Sequence, residues 1–171
     1  MVNEKEVIRF VKPFYAKRDS MHNFSHILRI KRKIAFLRKQ YKNIDNNFLN
    51  FLIYFHGSRK WARKNKKQIV NLGYPASWIN KINKPTSIEG KLVWDANMLE
   101  NVGNFGIRKN LECEKYYKQT REETLKIVKR YSKDYRFYTL LGKKLGNPGI
   151  KIKNEWLNKE LKNLKVLKKG I

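Results

Sequence analysis

Apolar side chains recur along this chain at helical spacing and almost nowhere at strand spacing. Ile27, Ile30, Ile34, Leu37 and Tyr41 follow one face of a helix, while Lys31, Arg32, Arg38, Lys39 and Lys42 take the other. Residues 46–56 are nearly all apolar, as in a helix at the centre of a bundle. Gln68–Leu72 makes a shorter helical piece stopped by Gly73. Thr86 and Glu89 have capping-box spacing ahead of a stripe of Ile88, Leu92, Leu99 and Val102, with Gly103 as its stop. Residues 112–133 read as one long polar helix. Asn154–Leu167 reads as a final amphipathic helix, with Trp156, Leu157, Leu161, Leu164 and Leu167 opposing lysines, in a lysine-rich segment at about 154–169. Stripes of this kind predict an all-α helical bundle. Its 171 residues suit a single domain over 1–171 with enough chain to bury a core.

Charge is the second constraint. Forty Lys and Arg stand against 14 Asp and Glu, a formal net charge of +26. Self-repulsion on that scale opposes the compact state, and a polyanion would relieve it. Lysine bias in composition is the competing explanation, although it leaves the scarcity of acids unexplained. The expected partner is RNA or a ribosome rather than DNA, because no helix-turn-helix or other DNA-reading motif is present. SRKWARKNKK concentrates the charge: Arg59, Lys60, Arg63, Lys64, Lys66 and Lys67 surround Trp61 in an expected basic loop at about 57–67. Cations for phosphates and an aromatic ring for bases would suit single-stranded nucleic acid. A merely solvated lysine-rich loop is the alternative. Cys113 is the sole cysteine, so a disulfide framework and a cysteine zinc site are excluded. MVNEKEVIRF lacks the apolar run of a signal peptide, and no stretch approaches a membrane span. These features predict a soluble cytoplasmic chain with no membrane partner; oligomeric state is not readable.

Three polar residues occupy apolar places. At helical phase Asp95 falls within the Ile88/Leu92/Leu99 stripe, and Asn97 falls on the opposite side. His56 closes the most apolar helix, and His26 edges an apolar face one turn after His22. A carboxylate on a buried stripe is costly unless it is paired or bound to metal. Two imidazoles and a carboxylate suit a divalent transition metal; satisfied core residues are the alternative.

MHNFSHILRIKRKIAFL, FLIYFHGSRK and PTSIEGKLVWDANMLENVGNFGIRK resemble, in order, three segments of the HD-superfamily metal-dependent phosphohydrolases, from about Asp19 to Arg108. A weaker likeness continues in FYTLLGKKLG. The resemblance implies an HD-type helical domain with His26 and His56 as metal ligands and the final ligand at Asp95, or less well at Asn97, with His22 a weaker candidate. It implies one divalent metal (Mn, Fe, Ni, Zn or Mg), held weakly or lost, with Arg29 and Arg59 available to clamp phosphate. Gly57 stands where the family has the aspartate of its His-Asp doublet, so the motif is degenerate. Two functions are therefore expected. The first is a nucleic-acid-binding protein on an HD-type scaffold with weakened or lost catalysis. The second is an active phosphohydrolase acting on a nucleotide or phosphodiester.

Overall fold

The computed structural model describes residues 2–169, with side chains to residue 166. The helices are α1 (Glu4–Ala16), α2 (Phe24–Leu37), α3 (Asn46–Phe55), α4 (Arg59–Lys64), α5 (Lys66–Asn71), α6 (Ile88–Met98), α7 (Gly103–Tyr116), α8 (Arg121–Ser132) and α9 (Leu140–Lys169). No strand occurs among the described residues, as the helical periodicity predicts. None of their helices is long and apolar enough to cross a membrane. The chain divides into two compact units, Met1–Ala96 and Asn97–Ile171.

In the first unit, apolar stripes of α1, α2 and α3 form the core. Val7, Val11, Ile27, Ile30, Leu37, Phe51 and Phe55 are fully buried there. Helix starts are set by side chains that accept orphan amide protons. Asn23 accepts from Ser25 N, and Asp45 accepts from Asn47 N and Phe48 N. Polar ties then fix the three helices. The Tyr54 hydroxyl donates to Glu4 at 2.6 Å, and Lys31 Nζ donates to the same carboxylate. These two donors hold the Glu4 carboxyl below its ordinary range.

Two expectations change in this unit. The capping box at Thr86 and Glu89 does not form. Ser87 Oγ accepts from Gly90 N at 3.2 Å, while buried Glu89 accepts from Asp45 N at 3.0 Å and so ties the start of α3 to α6. The basic stretch at 57–67 is not a loop. Arg59–Lys64 and Lys66–Asn71 are helical, joined at Asn65, because Ala62 and Ile69 are buried and anchor one face of each turn.

In the second unit, the polar run at 112–133 is two helices. Lys118 takes a left-handed φ of 52°, and Thr120 and Glu123 form a reciprocal capping box that starts α8. The last helix begins at Leu140, not Asn154, and runs through Pro148. Gly146 admits the Phe137 ring, whose nearest atom lies 1.9 Å from where a Cβ would stand. Leu125, Val128 and Leu157 form a core between α8 and α9, with Trp156, Leu161 and Leu164 packed against it. The side chain of Leu167, expected on the same stripe, lies outside the described residues. Lys153 is 1% exposed, and its Nζ donates to the carbonyls of Asn101 (2.8 Å) and Gly106 (3.1 Å).

Candidate metal and phosphate site

The chain holds three histidines, and the first unit gathers all of them. His26 sits in the first turn of α2 and His56 caps the end of α3. Their Nε2 atoms lie 2.9 Å apart, and both residues are buried. His56 Nδ1 is 2.7 Å from the Ile53 carbonyl, an obligate acceptor, so Nδ1 carries the proton and Nε2 presents a lone pair toward His26. Two geometries explain a 2.9 Å nitrogen pair: an N–H···N hydrogen bond, or adjacent ligands on one ion. An octahedral ion with ligands at ~2.1 Å sets neighbouring nitrogens about 3.0 Å apart. The two ring nitrogens are therefore spaced as adjacent ligands on one ion would be, and equally as a hydrogen-bonded pair would be.

His22 belongs to the same group. Its ring centroid lies 6.0 Å from that of His26, which lies 4.9 Å from that of His56. Asp19 directs it: the carboxylate oxygens stand 2.8 and 2.9 Å from His22 Nδ1, and Oδ1 also accepts from Met21 N and His22 N. Asp19 is 1% exposed. A carboxylate on one imidazole nitrogen fixes tautomer and ring orientation, as around metal-bound histidines. Composition did not single out Asp19; its D-x-x-H spacing to His22 is the signal that could have done so. Tyr15 was missed as well. Its hydroxyl lies 2.9 and 3.1 Å from the carbonyls of Tyr54 and His56 and braces the end of α3. Burial pushes the Tyr15 phenol far up, which keeps it a donor.

Asp95 faces inward from α6 and is completely buried, as its helix phase requires, whereas Asn97 is half-buried. Gly57 follows His56 with φ +71° and donates its amide proton to Asn83 Oδ1 at 3.1 Å. The chain leaves α3 through this left-handed turn, which explains a glycine beside the histidine. A Cβ there would meet nothing within 4 Å.

The expected phosphate contacts sort into three groups. Lys60, Arg63, Lys64, Lys66 and Lys67 are exposed on α4 and α5. Arg59 is half-buried, with an Nε that has no hydrogen-bond partner among the described residues, and Arg29 donates to Ser25 Oγ (2.8 Å) and the Met21 carbonyl (3.0 Å). Arg29 thus braces the turn carrying His22. Trp61 does not stand ready for a base. Its ring stacks on Phe14 at 4.7 Å and on Phe55 at 6.1 Å and touches Phe10 at 5.0 Å, because burying that aromatic area outweighs exposing it.

No family model matches the chain, and no curated protein matches it. Solved structures do match. Lin1889 from Listeria innocua is 21% identical, with a TM-score of 0.61 over 96% of this chain and 98% of its own. YpgQ from Bacillus subtilis in complex with ADP is 16% identical, with a TM-score of 0.63 over 94% and 97%. An HD-superfamily hydrolase from Bacillus thuringiensis is 17% identical, with a TM-score of 0.59 over 94% and 96%. The chain therefore has an HD-type, all-α fold.

Proposed function

We propose that this protein holds one divalent metal at His26, His56 and Asp95, binds the phosphate ester of a nucleotide there, and hydrolyses it slowly. The observation that carries the proposal is the 2.9 Å approach of two buried Nε2 atoms, one with its tautomer set by a backbone carbonyl. The metal would polarise a phosphoryl oxygen and lower the pKa of a bound water. Asp95 would add the anionic ligand that two neutral imidazoles lack. His22, held by Asp19, would carry a proton on Nε2 when charged and so serve a leaving oxygen. The unsatisfied Nε of Arg59 would meet a phosphate oxygen. Gly57 offers no carboxylate, which leaves the site less anionic and the metal more weakly held. The ADP bound to similar YpgQ supports a nucleotide as the first substrate to try.

The test is Mn²⁺ titration calorimetry on wild type, His26→Ala and His56→Ala, with ADP turnover measured in parallel. Near one equivalent of metal in wild type, at least ten-fold weaker in each variant, and slow metal-dependent turnover are expected. Absence of saturable binding, or affinity indifferent to both substitutions, overturns the proposal.

A second reading has its own support: RNA or a ribosome bound on the basic surface of the first unit, with hydrolysis lost. Asp19, Glu89 and Asp95 turn inward and Glu4 is paired with Lys31, whereas Lys60, Arg63, Lys64, Lys66 and Lys67 face solvent. The surface is more cationic than composition suggests, which favours counterion release from a polyphosphate.

A further inference from the structure

The second unit contains a groove that the proposed metal site does not use. It lies along α8 and α9, encloses about 560 Å³, and is open to solvent on one side. Its depth is apolar: Leu157 is buried and Leu161 half-buried. Above them stand the amides of Asn154 and Asn158, and Lys129, Lys162 and Lys165 are exposed around the opening.

The sorting of charge along this groove is informative. Both helices carry carboxylates, yet none lines it. Glu122 pairs with Lys126, Glu123 caps Thr120, and Glu160 reaches Arg121. None of the three groove lysines pairs with a described carboxylate. A complementary occupant would supply negative charge to these lysines, cover leucine, and meet amide groups that can both donate and accept. Inorganic phosphate covers no leucine, and a purely aliphatic chain leaves the amides unmatched. A heterocyclic base on a phosphorylated sugar meets all three needs, and the volume lies within the range of small-molecule sites.

We propose that the α8–α9 groove binds a nucleoside phosphate, with the base over Leu157 and Leu161, its edge on Asn154 and Asn158, and the phosphate among Lys129, Lys162 and Lys165. This site does not depend on the metal. The nucleotide could be free or one residue of a single RNA strand, and the two sources share this chemistry.

The test uses the full chain, AMP, an oligo(U) strand, inorganic phosphate and dodecyl phosphate as separate probes, with calorimetry and the methyl resonances of Leu157 and Leu161 as readouts. One variant replaces Lys129, Lys162 and Lys165 with Gln. A second, Asn158→Trp, keeps the charge and fills the groove from an exposed position. Saturable binding of AMP or oligo(U) that shifts both leucine methyls, and weakens ten-fold or more in each variant, is expected. Tighter oligo(U) than AMP assigns the site to an RNA strand, and the reverse assigns it to free nucleotide; either supports the proposal. No saturable AMP or oligo(U) binding overturns it. So does equal affinity for phosphate alone, dodecyl phosphate binding in preference to AMP, or indifference to Asn158→Trp. None of these residues contributes to the histidine site, so Mn²⁺ affinity in both variants should match wild type, which separates this result from a failure of the metal proposal.

Discussion

Gly57 stands where the sequence resemblance leads one to expect a carboxylate. A left-handed φ of +71° admits glycine freely and aspartate at a cost of about 1 kcal/mol. The space around it is open, so no packing penalty adds to that cost. Gly57→Asp should therefore fold, lose only a few degrees of thermal midpoint, and bind Mn²⁺ at least ten-fold more tightly by calorimetry. An unchanged affinity in a folded variant would mean that the backbone at this turn does not aim a carboxylate at the histidines. The two imidazoles and the inward Asp95 were legible in the sequence because helix phase and flanking apolar residues announce burial. Asp19 was not, because its role rests on a turn that presents its carboxylate to two amides and an imidazole at once. Periodicity carries no information about such a turn.

At the scale of elements, α2, α3, α6 and most of α5 were readable from apolar phase, whereas α1, α4 and the break between α7 and α8 were not. Helix α1 holds Val7, Val11 and Tyr15 on one buried face, but Pro13 inside it reads as a boundary. The break between α7 and α8 falls at Lys118, a left-handed residue with no glycine or proline to mark it. Helix α4 has no apolar phase of its own because its six residues are mostly cations, and its helicity depends on Trp61 and Ala62 finding the core. That dependence separates two roles within one turn. Lys60, Arg63 and Lys64 replaced together by Gln should leave the fold intact and flatten the log–log salt dependence of RNA binding by up to ~2 units. Trp61→Ala should instead remove packing against Phe10, Phe14 and Phe55 and cost about 2–4 kcal/mol of stability, with RNA affinity per folded molecule unchanged. Salt titration of labelled RNA and chemical denaturation decide it. Weaker RNA binding by Trp61→Ala at unchanged stability would restore the ring as a base-stacking platform.

For the whole molecule, a net charge of +26 sets two responses that differ in their sensitivity to salt. Exposed cations repel through solvent, and that repulsion is screened within about 10 Å at 0.1 M ionic strength. Raising salt from 20 mM to 300 mM should therefore raise the thermal midpoint by several degrees, and a short polyphosphate should do so at far lower concentration. Lys153 behaves differently because it is buried. Burial first, and then the charge of Lys109, push its ammonium down from 10.5 to about 7. The unfolded chain, with an ordinary lysine, binds more protons between pH 7 and 10.5, so stability rises with pH across that window. Salt should leave this slope nearly intact. Lys153→Met removes the buried charge along with its hydrogen bonds to Asn101 and Gly106. The variant should show a flatter rise in thermal midpoint between pH 7 and 9 than wild type, with the same response to salt. Scanning calorimetry of both proteins over the grid of pH and salt measures the two effects separately. Identical pH slopes in the two proteins would show that Lys153 keeps its proton throughout, held by the two carbonyls against the cost of burial.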